Sequence, residues 1–349
     1  MGSAVPGELD QQALWDGFFA DHYRGSRVAE AVWRRSGVAT RHGVADPTVE
    51  DVSQWGTGER MRRFVSEALP LGKEAIGAAL DQAGLSPTDI GQLVVVSCTG
   101  YATPGLDILL ARDLGMPADL QRLHIGHMGC YAALPALATA ADTVAARGLP
   151  AVVLCAELTS LHVQPARADL DPRAPMRDDV EQMVAHALFS DAASAAVLVP
   201  GAGLSVERTV ARTDVTRAAL MSWDVTDHGF RMGLSSQVPV VLAEHVGPAV
   251  AELLDGTGLA VEDVTWAVHP GGPRIVDVVA EALGLTDDQV AVSRAVLRDH
   301  GNCSSATVLL ILQRLLAGGQ LAPGAAVVSL AFGPGLTLMA QLLTVPVSR

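Results

Sequence analysis

The sequence repeats itself, weakly, at half its own length. Gly84-Leu85-Ser86-Pro87-Thr88-Asp89-Ile90 runs into LVVVSCTG, and Gly258-Leu259-Ala260-Val261-Glu262-Asp263-Val264 runs into WAVHPGG. Gly, Leu, Asp and a β-branched residue recur at an offset of 258 − 84 = 174 positions, against 349/2 = 174.5 for half the chain. The same offset lays Ala151–Ala156 (AVVLCA) on Ala325–Leu330 (AAVVSL), each following an Ala/Leu-rich helical pattern. A chain of this length exceeds one ordinary domain. The repeat predicts a duplicated α/β unit, residues 1–200 and 201–349, in which helices alternate with short apolar strands that read as mostly buried and parallel.

Composition agrees and excludes several functions. Hydrophobic residues make up 49% of the chain but aromatics only 4%, the signature of Ala, Val and Leu packing helices on sheets. A formal net charge of −14 argues against nucleic acid as a main partner, since phosphate binding needs a basic surface. The N-terminal MGSAVPGELDQQALWDGFF has no basic segment followed by an apolar stretch, and no window offers a membrane-spanning apolar run, so a cytoplasmic protein is expected. Cys98, Cys130, Cys155 and Cys303 show neither a CxxC pair nor a disulfide-framework spacing, and reduced thiols are expected.

Ligand sites in open α/β sheets lie beyond the carboxyl ends of strands, which directs attention to Cys98, Cys130, His269 and Asn302. Cys130 follows RLHIGHMG and precedes an alanine-rich helix. A helix N-terminus lowers a thiol pKa and makes a nucleophile, whereas a free cysteine in apolar surroundings is otherwise a small core residue; the local residues leave both open. His124, His127 and Cys130 are spaced three apart, but two glycines ahead of the helix make the segment extended and no second ligand pair follows, so no metal site is expected. His269 ends VTWAVH and is followed by the rigid Pro270-Gly271-Gly272-Pro273 turn. Asn302, in HGNCSSATVLL, fits an N-cap. Yet 302 − 174 = 128 places it beside the Cys130 position of the other half, so two helix N-termini would converge with His269 on one site. Ser160–Asp191, with Pro165, Pro172, Pro175 and many charges, reads as an inserted loop able to wall a cavity.

A Cys-His-Asn set suits thiolate attack on a thioester, with the imidazole as acid and base and the histidine and asparagine donating to an oxyanion. Papain-like proteases use these residue types, but their local cysteine signature is absent around Cys130. Five segments, taken in order, resemble the chalcone synthase-like type III polyketide synthases: MGCYAAL, ALFSDAASAAVL, AVHPGGPRIVD, HGNCSSATVL and AFGPGLTL. The resemblance covers nearly the whole chain and implies the duplicated five-layer αβαβα thiolase fold. It implies Cys130 as acyl-carrying nucleophile, His269 as its partner, Asn302 as second donor, and Phe189 as gatekeeper between a CoA tunnel and a cavity. Matching cavity positions are Cys98, Thr99, Glu157, Thr159, His162, Trp223, Met232, Ser304 and Phe332.

The chain departs from the plant enzymes, with Cys98 and His162 in place of threonines, Trp223 of a glycine and Met232 of a second gate phenylalanine. SCTGY resembles bacterial members. Plant-type cations for the CoA phosphates have no clean match, and Arg27, Arg34, Arg35, Gly271 or Arg274 would take that role. The activity implied is iterative decarboxylative condensation of malonyl-CoA onto an acyl-CoA starter, then cyclisation to a pyrone or resorcinol-type ring. CoA thioesters are substrates, no cofactor is required, and a homodimer would lend Thr103 to the partner's cavity. The rival readings are a ketoacyl synthase III fed by an acyl carrier protein and a scaffold that has lost catalysis.

Overall fold

The computed structural model describes residues 1–201, 203–319 and 321–347. Two sheets carry the repeat. The first has the strand order Gly2–Ala4, Asp191–Leu198, Ala151–Leu158, Gln92–Ser97, Gln121–Gly126. The second runs Ser205–Thr213, Thr337–Thr344, Ala326–Gly333, Val264–Val268. From the first strand of each order, successive pairs are antiparallel, antiparallel and parallel in both, so the halves correspond strand for strand apart from the added edge strand Gln121–Gly126. The repeated aspartate has one job in each copy. Asp89 Oδ2 accepts from the Ser86 N–H and Asp263 Oδ2 from the Ala260 N–H, both at 2.8 Å, closing the turn that aims the next strand.

Helices Ala133–Arg147 and Ala306–Ala317 lie between the two sheets. Alanines make this possible: Ala133, Ala136, Ala140 and Ala306 are all fully buried, and short side chains let a helix touch a sheet on each side. Thr57–Ala83 and Leu106–Leu114 cover the outer face of the first sheet. Val238–Leu254 and Pro273–Leu283 cover that of the second. The result is the five-layer αβαβα thiolase fold, and its central apolar cluster draws residues from both halves.

Two expectations need correction. The sheets are mixed rather than parallel, because Thr337–Thr344 returns from Ala326–Gly333 after only Pro334, Gly335 and Leu336, and so short a connection permits only an antiparallel neighbour. The segment Ser160–Asp191 is not a plain loop, since it contains the helix Arg177–Leu188. Asp179 Oδ2 accepts from the Met176 N–H at 2.9 Å and caps its start, and Met183, Ala187 and Leu188 are buried along one side. Among the described residues no helix is long and apolar enough to cross a membrane.

Candidate active site

The strand Gln121–Gly126 ends in a sharp reversal, with His127 and Gly129 at φ of 61° and 73°. The chain then enters the single 3-10 turn Gly129–Tyr131, which carries Cys130 and leads to the central helix Ala133–Arg147. A Cβ on Gly129 would lie 2.5 Å from Pro334 Cδ, and one on Gly333 would lie 2.5 Å from Tyr131 Cδ1 and 2.9 Å from the Met128 carbonyl oxygen. The FGPG segment thus grips the Cys130 turn through two places where only glycine fits.

His269 follows the strand Val264–Val268 and donates its backbone N–H to the Leu330 carbonyl at 2.8 Å. Its ring is buried, and neither ring nitrogen has a partner among the described residues. Buried imidazole nitrogens are normally satisfied, so both are left for a molecule in the cavity. Asn302 is held from three directions. Its N–H donates to the Leu188 carbonyl at 2.9 Å, its carbonyl accepts from the Ser190 N–H at 3.0 Å, and its Oδ1 accepts from the Ser304 N–H at 2.9 Å. With the amide oxygen engaged, the NH2 group is left to donate. Ser305, not Asn302, occupies the cap position of the following helix.

Cys130, His269, Asn302, Phe189, Met232 and Phe332 face one cavity of about 590 Å³. Burial pushes the Cys130 thiol up to about 12, against a lowering by the Ser304 and Asn302 side chains, and pushes the His269 imidazole down to about 3. These shifts favour a thiol and a neutral imidazole at neutral pH, the form in which His269 can accept a proton.

Phe189 and Met232 also line a second, much smaller space of about 50 Å³ on their other side, shared with Thr159, His162, Trp223 and Phe230. His162 is locked there. Its Nδ1 accepts from the Phe230 N–H at 2.9 Å, so Nε2 donates to the Thr99 carbonyl at 2.7 Å, and its ring stacks on Phe230 at 4.6 Å. Trp223 closes the group, edge-on to His162 at 5.5 Å, 6.4 Å from the Phe189 ring, and donating Nε1–H to the Cys98 carbonyl at 2.7 Å.

Cys98, Thr99 and Glu157 line neither space. Glu157 is fully buried and accepts from the Cys98 N–H at 3.0 Å, the Thr99 hydroxyl at 2.8 Å and the Ser305 hydroxyl at 2.5 Å. Cys98 Sγ in turn accepts from the Gly129 N–H at 3.0 Å. The three support the Cys130 turn from behind. Thr103 is exposed and lines neither space. Gly271 and Arg274 line the large cavity, Arg27 and Arg35 a recess beside it that shares Val184, Leu188 and Pro273, and Arg34 lies outside both, paired with Glu30. Sequence reasoning missed Val180, Val184 and Leu188, a wall of the cavity whose spacing of four in RDDVEQMVAHAL was a readable helical stripe. Among the described residues no group of three or more His, Cys, Asp or Glu side chains is placed to hold a metal.

Family models for chalcone and stilbene synthases match the chain, the N-terminal domain over residues 38–203 and the C-terminal domain over 205–346. The 3,5-dihydroxyphenylacetyl-CoA synthase of Streptomyces toyocaensis is 34% identical over 360 aligned positions, covering 98% of this chain and 88% of that protein. The alpha-pyrone synthesis polyketide synthase-like Pks18 of Mycobacterium tuberculosis is 31% identical over 332, covering 90% and 81%. Among solved structures, the 1,3,6,8-tetrahydroxynaphthalene synthase of Streptomyces coelicolor A3(2) superposes with a TM-score of 0.90 at 29% identity, over 99% of this chain and 98% of that one.

Proposed function

Because the chain belongs to the chalcone and stilbene synthase family, the type III polyketide synthases, we propose that it condenses malonyl-CoA onto an acyl starter carried by Cys130. The observation that carries the residue assignment is the shared cavity of Cys130, His269 with two unpartnered ring nitrogens, and the free amide N–H groups of Asn302. His269 takes the thiol proton as sulfur attacks the starter thioester; the CoA thiolate leaves and receives that proton. Malonyl-CoA then loses carbon dioxide, and the negative charge that reaches its thioester oxygen is held by donors from Asn302 and His269. The enolate carbon attacks the Cys130 thioester and expels the cysteine sulfur, leaving a chain two carbons longer on CoA. Repetition and ring closure give a pyrone or resorcinol-type product. The required acid–base and oxyanion roles fall to the chain's own side chains.

The CoA part of each substrate fits the Gly271 and Arg274 side of the cavity, with Arg27 and Arg35 nearby for its phosphates. A homodimer in which Thr103 reaches the partner's site accords with its exposure, and a cytoplasmic location accords with CoA thioester substrates. Delivery by an acyl carrier protein, the ketoacyl synthase III reading, is disfavoured by the family membership.

The small space behind Phe189 favours short starters, and Trp223 is the side chain that most reduces it. Product mass spectrometry over a panel of acyl-CoA starters with malonyl-CoA tests both points. The wild type should form polyketides from CoA thioesters alone, and Trp223→Gly should move accepted starters or products to longer chains. Activity confined to a malonyl-carrier protein would reject the function, while an unchanged profile in the variant would reject Trp223 as the wall.

A further inference from the structure

Arg41 is a buried cation with no ion-pair partner among the described residues. It sits in the short strand Thr40–His42, only 6% exposed. Nη1 donates to the carbonyls of His186 at 2.6 Å and Phe189 at 2.9 Å, and Nη2 to the carbonyl of Ala187 at 3.0 Å. Gln11 Oε1 accepts from Nη2 and, at 2.8 Å, from Nε, while the Trp33 ring covers the guanidinium at 4.8 Å. Gln11 is itself tied to the same place, its Nε2 donating to the Ala187 carbonyl at 2.9 Å. Burying a charge is costly unless its donors are met, and here they are met by the carbonyls that end the helix Arg177–Leu188, where a cation also suits the macrodipole.

Those carbonyls lie at the hinge that carries Phe189. Residues on both sides of Phe189 are hydrogen-bonded to Asn302, whose N–H reaches the Leu188 carbonyl and whose carbonyl accepts from the Ser190 N–H. The fit is tight, since a Cβ on Gly301 would lie 2.9 Å from Ser190 Cβ, 3.0 Å from the Leu188 carbonyl oxygen and 3.5 Å from Arg41 Cβ. Gly301 stands at φ +70°, where a side chain would be strained in any case. From this geometry we infer that Arg41, aimed by Gln11, is a positioning residue that sets the Phe189 gate and the Asn302 amide together. The inference rests on the roles proposed above for those two residues.

Lysine keeps the charge but lacks the planar fork needed to grip three carbonyls. In Arg41→Lys, carbon dioxide release from malonyl-CoA should fall about tenfold, as small misplacements of a reacting geometry do, while acyl loading on Cys130 stays within about twofold of wild type. The products should also spread over more chain lengths as the gate loosens. The decisive readout is a cycle with Asn302→Ala: if Arg41 acts through Asn302, adding Arg41→Lys to Asn302→Ala should cost less than about twofold more. Unchanged release in Arg41→Lys, or the same tenfold loss repeated on the Asn302→Ala background, would overturn the inference. If Asn302→Ala alone leaves release unchanged, the role of Asn302 falls and this inference with it, a result read from that single variant. Circular dichroism checks folding; should Arg41→Lys not fold, Gln11→Leu, which keeps the guanidinium but removes its side-chain acceptor, is carried through the same cycle with the same two outcomes.

Discussion

In Asn302→Ala, carbon dioxide should leave malonyl-CoA about a hundredfold to a thousandfold more slowly than in the wild type, the loss expected when one preorganised donor worth about 2.7 to 4 kcal/mol is removed. The Asn302 amide oxygen is occupied by the Ser304 N–H, so its NH2 group is the part that can meet charge developing on a thioester oxygen. A neutral amide cannot take the thiol proton, and that task falls to His269, which burial keeps in its neutral form. Starter loading on Cys130 should therefore fall much less, although the Asn302 side chain also lowers the Cys130 thiol pKa and the separation is partial. The check is carbon dioxide release beside the rate of acyl-adduct formation on one preparation. Adduct formation that collapses while decarboxylation persists would reverse the roles.

Glu157→Ala should destabilise the fold by about 2 to 4 kcal/mol, since each buried donor left without an acceptor costs about 1 to 3 kcal/mol. The carboxylate is fully buried, and its removal strands the Cys98 N–H and the hydroxyls of Thr99 and Ser305 without their acceptor. Burial raises the Glu157 pKa, and the hydrogen bonds from Ser305, Cys98 and Thr99 oppose that rise. Because Ser305 belongs to the Asn302 segment and Cys98 supports Gly129, the same deletion loosens both sides of the site. Against a typical total stability of about 5 to 15 kcal/mol, the loss should be plain in urea unfolding. A change below about 1 kcal/mol would show that water or neighbouring groups replace the carboxylate, and that Glu157 does not hold the halves together.

The duplication was legible because its marks are local: a glycine after a helix, an aspartate five residues later closing a turn, then a run of β-branched residues. Cys130 and His269 were marked in the same local way, each standing between a strand and a helix, whereas Asn302 lies in the short link between the helices Asp287–His300 and Ala306–Ala317 and was marked only by the repeat offset. Strand direction was not, since Asp191–Leu198 and Thr337–Thr344 are as apolar as parallel core strands, and the long helix-bearing connection into Asp191–Leu198 gives no sign of its reversal. The helix Arg177–Leu188 was hidden by the prolines and charges before it, which outweighed a valid stripe of Val180, Val184 and Leu188. Arg41 and Gln11 carry no local signal at all, because every carbonyl that Arg41 grips lies more than 140 residues away. For Cys130 a helix terminus is visible in sequence, whereas the burial that pushes its thiol pKa up is not.

The central claim is that the chain grows polyketides from an acyl group held on Cys130, and intact-protein mass spectrometry after brief exposure to an acyl-CoA starter tests it most directly. The account predicts one acyl adduct per chain, mapping by peptide analysis to Cys130 and absent from Cys130→Ala, with Cys98, Cys155 and Cys303 unmodified. An adduct that persists in Cys130→Ala, or that maps to another cysteine, would contradict it.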